Sequence, residues 1–284
     1  FHLKFLFSAL YHNFLQKHMI KYIKLEAKYM KPLLEVRDVS LSYHSLSGET
    51  PALSNISFDL MPGEFLAIAG PSGCGKSTLL NLISGLLTPE KGSIYMGDQP
   101  VGTPNTRIGY MLQKDHLLEW RSIYRNIILG LEIRHQLTPA KKELADQMLA
   151  TYGLDKFRNA RPSQLSGGMR QRAALIRTLL LKPELLLLDE PFSALDYQTR
   201  LNVSDDIGKI LKKENKPAIL VTHDIGEAIS MADRVVILSK RPAVVKKIIP
   251  IELGLKDRTP MSSRNASLFK YYFNLIWKEL NQNE

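Results

Sequence analysis

Residues Gly70–Thr78 read Gly-Pro-Ser-Gly-Cys-Gly-Lys-Ser-Thr, and no other run restricts the fold as much. The first eight of them fit G-x-x-x-x-G-K-[ST], a loop that wraps phosphate oxygens with backbone amides. Such a loop joins a strand to a helix. Glu64–Ala69 (EFLAIA) supplies a short apolar strand before it, and Leu79–Leu87 begins a helix after it. Glycine serves where the backbone must come close to phosphate and take positive φ. Gly70, Gly73 and Gly75 stand at such places, with Pro71, Ser72 and Cys74 between them. The freed amides and the helix N-terminus then face an anion. Lys76 reaches the β- and γ-phosphates of a nucleotide, the Ser77 hydroxyl is placed for Mg²⁺, and Thr78 completes the run.

The chain has 284 residues, room for one large α/β domain or two small ones. No stretch offers ~18 uncharged apolar residues, so no membrane-spanning helix is expected. The N-terminal segment is apolar, but Lys4, His12, Lys17, His18, Lys21 and Lys24 interrupt it, and no small-residue cleavage site follows. It reads as neither a signal peptide nor an anchor. Met19 and Met30 both stand as candidate start residues, which makes 1–31 a basic extension, disordered or not native. Those residues hold six Lys and one Glu, half of the net charge of +10. No aromatic–basic interleaving points to nucleic acid, so a solvated surface near a membrane is the preferred reading of the charge. Cys74 is the only cysteine, which rules out an intrachain disulfide and fits a reducing cytoplasmic compartment.

Leu33–Val39 and Ala52–Leu60 alternate as strands, and Gly92–Met96 and Arg107–Leu112 are further short ones. Ile123–Leu131, Pro139–Tyr152 and Gly168–Leu181 carry the helical period. Leu185–Leu188 is apolar without a break, as in a parallel strand buried on both faces. Gln198–Lys213 is helical, and Ala218–Thr222 and Val235–Leu238 are strands. Residues 256–284 form a separable tail with an amphipathic helix at Ser267–Leu280.

The Leu185–Leu188 strand ends in Asp189-Glu190. Burying two acids is costly unless a cation compensates, and a Mg²⁺ beside the nucleotide would do so. Asp189 would hold the ion, and Glu190 would take the proton of the attacking water. Leu165-Ser166-Gly167-Gly168 opens the apolar helix that follows, where a hydroxyl and unshielded amides offer a second place for an anion.

The phosphate loop, the Leu-Ser-Gly-Gly run and the Asp-Glu strand, in this order, resemble the nucleotide-binding subunit of an ATP-binding cassette (ABC) transporter. The resemblance covers about residues 33–255. It implies an α/β fold: a P-loop NTPase (RecA-like) core with an antiparallel β subdomain and an inserted α-helical subdomain, about 116–182, within a domain at 32–255. It implies ATP and Mg²⁺ as ligands. By the same resemblance Tyr43 stacks on adenine, Gln113 contacts Mg²⁺ and senses the γ-phosphate, Ser193-Ala194-Leu195-Asp196 crosses a dimer interface, and His223 contacts the γ-phosphate and orients Glu190. Lys76, Glu190 and His223 are the catalytic set, and Ser77, Gln113 and Asp189 the metal set.

In the family the phosphate loop of one subunit faces the Ser-Gly-Gly of another. One such domain is present here, so a second nucleotide-binding subunit, an identical copy by preference, is implied. Motion would pass to integral membrane permease subunits, and through them to an extracytoplasmic solute-binding protein. The protein would sit peripherally on the cytoplasmic face of the cell membrane. Leu117, Leu118 and Trp120 are candidate docking residues for the permease. Leu118-Glu119-Trp120-Arg121 and Leu238-Ser239-Lys240-Arg241-Pro242 resemble the nitrate/sulfonate/taurine importers, a group that includes thiamine-precursor systems. The alternative is a soluble ABC ATPase acting on ribosomes or DNA.

Overall fold

The computed structural model describes residues 31–46 and 48–281, so nearly all of the basic N-terminal extension lies outside the described residues. β1 (Leu34–Ser45) and β2 (Gly48–Leu60) pair antiparallel. After β3 (Phe65–Ala69) comes α1 (Lys76–Ile83). β4 (Lys91–Met96) returns to pair with β1, and β5 (Gln99–Pro100) adds a short edge. Gly92 is required at this return: its φ is +79°, and a Cβ there would sit 2.3 Å from the Arg37 carbonyl oxygen. The first sheet is therefore antiparallel, in the order β2-β1-β4-β5.

The second sheet is built on β3. It adds β6 (Ile108–Met111), β7 (Leu185–Asp189), β8 (Ala218–Val221), β9 (Arg234–Leu238) and β10 (Val245–Pro250), in the order β10-β9-β3-β8-β7-β6. Only the β9–β10 pair is antiparallel. Between β6 and β7 lie α2 (Ile123–Ile127), α3 (Leu129–Ile133), α4 (Pro139–Thr151) and α5 (Gly167–Leu179). Then follow α6 (Tyr197–Lys213), α7 (Ile225–Met231), α8 (Pro260–Arg264) and α9 (Phe269–Asn281).

The four leucines of β7 show the layering. Leu185 and Leu187 face a core shared with α1 and the antiparallel sheet, through Leu79, Leu82, Ile83 and Leu34. Leu186 and Leu188 face the helices, through Leu175, Ile176 and Leu149. All four are fully buried, the expected state of a parallel strand covered on both faces.

Several expected elements differ. β1 runs on to Ser45, which carries Tyr43 onto the sheet. The helix expected at Ile123–Leu131 divides at Ile128 into α2 and α3. Gly130 at that point approaches Leu181 so closely that a Cβ would lie 2.9 Å from its Cδ1. β10 (VKKIIP) was not expected, because its paired lysines hide the alternation of an edge strand. The tail read as separable packs on the core. Arg258 donates to the Ile229 carbonyl at 2.7 Å, and α9 buries Ile276 beside Ile229 and Ile237.

Ile276 is wholly shielded from solvent. Ile276→Ala should therefore cost about 2–5 kcal/mol in urea melts. A loss below about 0.5 kcal/mol would mean that α9 is not part of the cooperative unit.

Candidate active site

The strand pairing sets this site. The parallel register aligns Ile68 with Val221 and Val221 with Asp189, and Met111 with Leu188. The residues just past these points therefore share one edge of the sheet. From β3 comes the loop 70–75, from β8 His223, from β7 Glu190 and from β6 Gln113. Ligands of open parallel sheets sit at this edge.

The loop has the backbone that phosphate needs. Gly73 and Gly75 hold φ of +72° and +117°. Gly75 caps α1 without any side-chain hydrogen bond, and no acid occupies the first turn, so the first amides of α1 stay available to an anion. Lys76 is buried and donates from Nζ to the carbonyls of Gly70 and Pro71, both at 2.8 Å. Ser77 is exposed and hydrogen-bonds Asp189. Thr78 meets the Tyr43 hydroxyl at 3.0 Å, which fixes that ring beside the loop. The Cys74 thiol is buried among apolar side chains and is held above its usual pKa by that burial, so the side chain of this loop residue packs in the core.

Asp189 is buried, and burial raises its pKa against the opposing bond from Ser77. Among the described residues it has no ion-pair partner within salt-bridge distance. Glu190, by contrast, reaches the open side. His223 Nδ1 lies 3.1 Å from its Oε2, and Gln113 Nε2 donates to the same oxygen at 3.4 Å. Gln113 also reaches Ser193 Oγ at 3.5 Å. The Glu190 backbone is left-handed, with φ of +42°. Its amide donates to the Val221 carbonyl, and its own carbonyl accepts from Ser193 Oγ at 3.0 Å. That strain, about 1 kcal/mol, aims a carboxylate out of the end of a buried strand.

The run expected to offer a second place for an anion stands apart. Ser166 caps α5 and accepts from the Met169 amide at 3.4 Å. Ser166 and Gly167 are exposed, whereas Gly168 is buried with no room for a Cβ, which would lie 2.6 Å from Val203. Asp196 caps α6 by accepting from the Thr199 amide at 3.0 Å. Among the described residues no hydrogen bond joins Ser166–Gly168 to the phosphate loop. Of the docking candidates, Leu117 is core, Leu118 is half-buried and Trp120 is 71% exposed. Leu117 is thus corrected: its side chain packs inside the helical layer and presents nothing to a partner.

Three groups escaped the sequence reading. The Tyr110 hydroxyl bridges Asn81 at 3.2 Å and Asp189 at 3.5 Å, and burial lifts it well above its usual pKa. Glu227 is buried and accepts from Thr222 Oγ1 at 2.6 Å. Arg200 lies 3.9 Å from Glu227 and 3.6 Å from Asp224, and donates to the Leu195 carbonyl at 3.1 Å. No motif marks them, because each acts through contacts that only the fold creates.

Known proteins fit this geometry. The ABC transporter family profile matches residues 53–193. The uncharacterized ABC transporter ATP-binding protein YtlC of Bacillus subtilis is 45% identical over 88% of this chain and 96% of its own. The chain belongs to the ABC transporter family. It is an ATP-hydrolysing cassette. The aliphatic sulfonates import ATP-binding protein SsuB of Bacillus licheniformis is 36% identical over 88% of this chain and 95% of its own. The nitrate transport protein NasD of Klebsiella oxytoca is 37% identical over 79% and 87%. Among solved structures, the dimeric post-hydrolysis state of the cassette MJ0796 with ADP and Pi superposes with a TM-score of 0.67 at 28% identity, covering 77% of this chain and 99% of that one. Among the described residues of the cassette no helix is long and apolar enough to cross a membrane.

The cassette also carries a titration next to its site. Burial pushes the Glu227 carboxyl up to about 6 from an ordinary 4.5, against the bond from Thr222. The native state thus binds the proton more tightly than the unfolded chain does. This contribution is full below pH ~4.5 and is lost as pH rises through about 6, a fall of about 2 kcal/mol. Urea melts at pH 5 and pH 7 should show about 1.2 kcal/mol of that fall in the native chain and lose most of it in Glu227→Gln. An equal pH dependence in both would remove Glu227 as its source.

Proposed function

We propose that this cassette is the ATP-hydrolysing subunit of an importer of the nitrate/sulfonate/taurine type. It works as a pair of copies on the cytoplasmic face of a membrane, with separate permease subunits. The observation that carries the chemistry is the convergence of Gln113, Glu190 and His223 at the sheet edge beside the phosphate loop. The names of SsuB and NasD support import and weigh against an ATPase acting on ribosomes or DNA. They also favour a small oxyanion as solute. In this reading the domain spans 32–255, and the solute is bound by the permease side of the assembly.

The cassette's residues divide the work as follows. Tyr43 offers its ring to the adenine, and the amides of Gly70–Thr78 hold the α- and β-phosphates. Lys76 exchanges its two carbonyl partners for β- and γ-phosphate oxygens. Glu190 Oε2 accepts a proton from the attacking water as the water oxygen bonds to the γ-phosphorus and the bond to the ADP oxygen breaks. His223 holds Glu190 and a γ-phosphate oxygen in one geometry. The partner copy's Ser-Gly-Gly run and Asp196 segment cover the γ-phosphate from the other side.

A magnesium ion suits this edge. Asp189 is a buried acid without an ion pair, and Ser77 adds a hydroxyl, a hard oxygen set that fits Mg²⁺. No three His, Cys, Asp or Glu gather to hold a metal among the described residues, so phosphate oxygens must complete the shell. Ser77 and Asp189 would hold the ion, Gln113 would add its amide oxygen, and the ion would neutralise charge on the β- and γ-phosphates.

Glu190→Gln should bind ATP–Mg²⁺ normally, hydrolyse it at least ~10²-fold more slowly, and accumulate as a dimer in size-exclusion chromatography. Turnover near that of the native chain would take Glu190 out of the reaction. Lys76→Ala should lose ~10²-fold or more in kcat/KM, since a buried charge on the phosphates is worth several kcal/mol. Hydrolysis by this variant at the native rate would overturn the phosphate-loop assignment.

A further inference from the structure

The last helix leaves an aromatic face uncovered, and that face opens onto the phosphate loop. α9 buries Ile276 against the sheet but exposes Phe273 and Trp277, one turn apart on one face, the latter at 57%. Phe273 and Trp277 stack, with ring centroids 6.3 Å apart and planes inclined by 10°. Trp277 and Leu280 form one wall of a cavity of about 300 Å³. Gly70, Pro71, Ser72 and His223 form the other wall. Rings exposed in a cluster beside a site mark a surface built to be covered.

We infer that a second copy of this chain covers it, so that α9 belongs to the dimer interface. The inference rests on the reading that two copies clamp ATP. Continuity argues for it. In that reading the partner copy closes over the phosphate loop and His223, and Gly70, Pro71, Ser72 and His223 also line the cavity that Trp277 lines. The chain also supplies a complement. Tyr197 directly follows Asp196, in the segment expected to cross between copies, and its side chain is 68% exposed. A two-fold pair then offers each cavity one projecting ring, and the contact closes on itself.

The chain has two tryptophans, so Trp120→Phe in the full-length Glu190→Gln protein leaves Trp277 as the sole reporter. Acrylamide quenching would be read together with light-scattering mass, without nucleotide, with ADP–Mg²⁺ and with ATP–Mg²⁺. ATP should give a dimer in which quenching of Trp277 falls about threefold or more, as for a ring in an interface core. ADP should leave a monomer quenched as before. A dimer with Trp277 quenched as in the monomer overturns the inference and leaves the clamped pair standing. Shielding by ADP in the monomer, or by anionic phospholipid vesicles and not by ATP, overturns it too. If ATP gives no dimer, the clamped pair itself fails and the inference falls with it. Trp277→Ala should raise the protein concentration for half-dimerisation about tenfold with ATP affinity of the monomer unchanged; an unmoved midpoint would count against the interface.

Discussion

The register of four parallel strands is the constraint on which the site depends. Asp189 pairs with Val221, and Val221 with Ile68, so three strands end level with one another. Glu190, Gln113, His223 and the first residue of the phosphate loop follow one or two residues later. A slip of one residue in β7 would exchange the two faces of Leu185–Leu188, turning Leu186 and Leu188 toward α1 and Asp189 toward the other layer. The slip is resisted because it would set Asp189 where Leu188 packs, in an apolar layer with nothing to pair a carboxylate. Packing of apolar side chains thus fixes the position of a carboxylate whose own burial is unfavourable. The strained Glu190 is tolerated for the same reason: its amide bonds to the Val221 carbonyl, which extends the ladder one step past the strand.

Much of this edge was legible in the sequence. Glycine spacing at 70–75, an uninterrupted apolar strand before Asp189, and a hydroxyl before Gly167 each state a backbone requirement in residue types. Tyr110, Arg200 and Glu227 were not legible. A tyrosine on a strand is ordinary until the fold sets its hydroxyl between Asn81 and Asp189. Glu227 reads as a surface acid in a short helix until Thr222 and Arg200 close over it. Cys74 and Leu117 were read toward function because their neighbours carry it. Both are small apolar fillers of adjacent cores. Position in a motif fixes the backbone, whereas the direction of a side chain depends on what packs beside it. The amphipathic pattern of the tail was legible as a packing face, but the contacts of Arg258 with the end of α7 join residues about thirty apart in sequence, which no local pattern displays.

A further constraint ties the two anion sites mechanically. Asp115 lies two residues beyond Gln113 and accepts a bidentate pair from Arg170, at 2.8 and 3.1 Å. Burial works to raise its pKa, yet the Arg170 bonds, the Leu117 amide and the charges of Arg170 and Arg177 together outweigh it, so the carboxylate is held below its usual range. Arg177, two turns along the same face, donates to the Asp115 and His116 carbonyls at 2.6 and 2.7 Å. Bidentate arginine pairs are stiff in geometry as well as strong. The segment after Gln113 and helix α5 therefore behave as one piece, and Ser166 stands at the end of that piece. Gln113 in turn touches Glu190 at a distance, 3.4 Å, that a small shift would lengthen past bonding. These contacts couple the position of the segment after Gln113 to that of α5 and so to the Ser166 end. Within one chain no hydrogen bond joins that end to the phosphate loop among the described residues. The two ends thus stand apart within one chain, the arrangement that the proposed pairing with a second subunit would close.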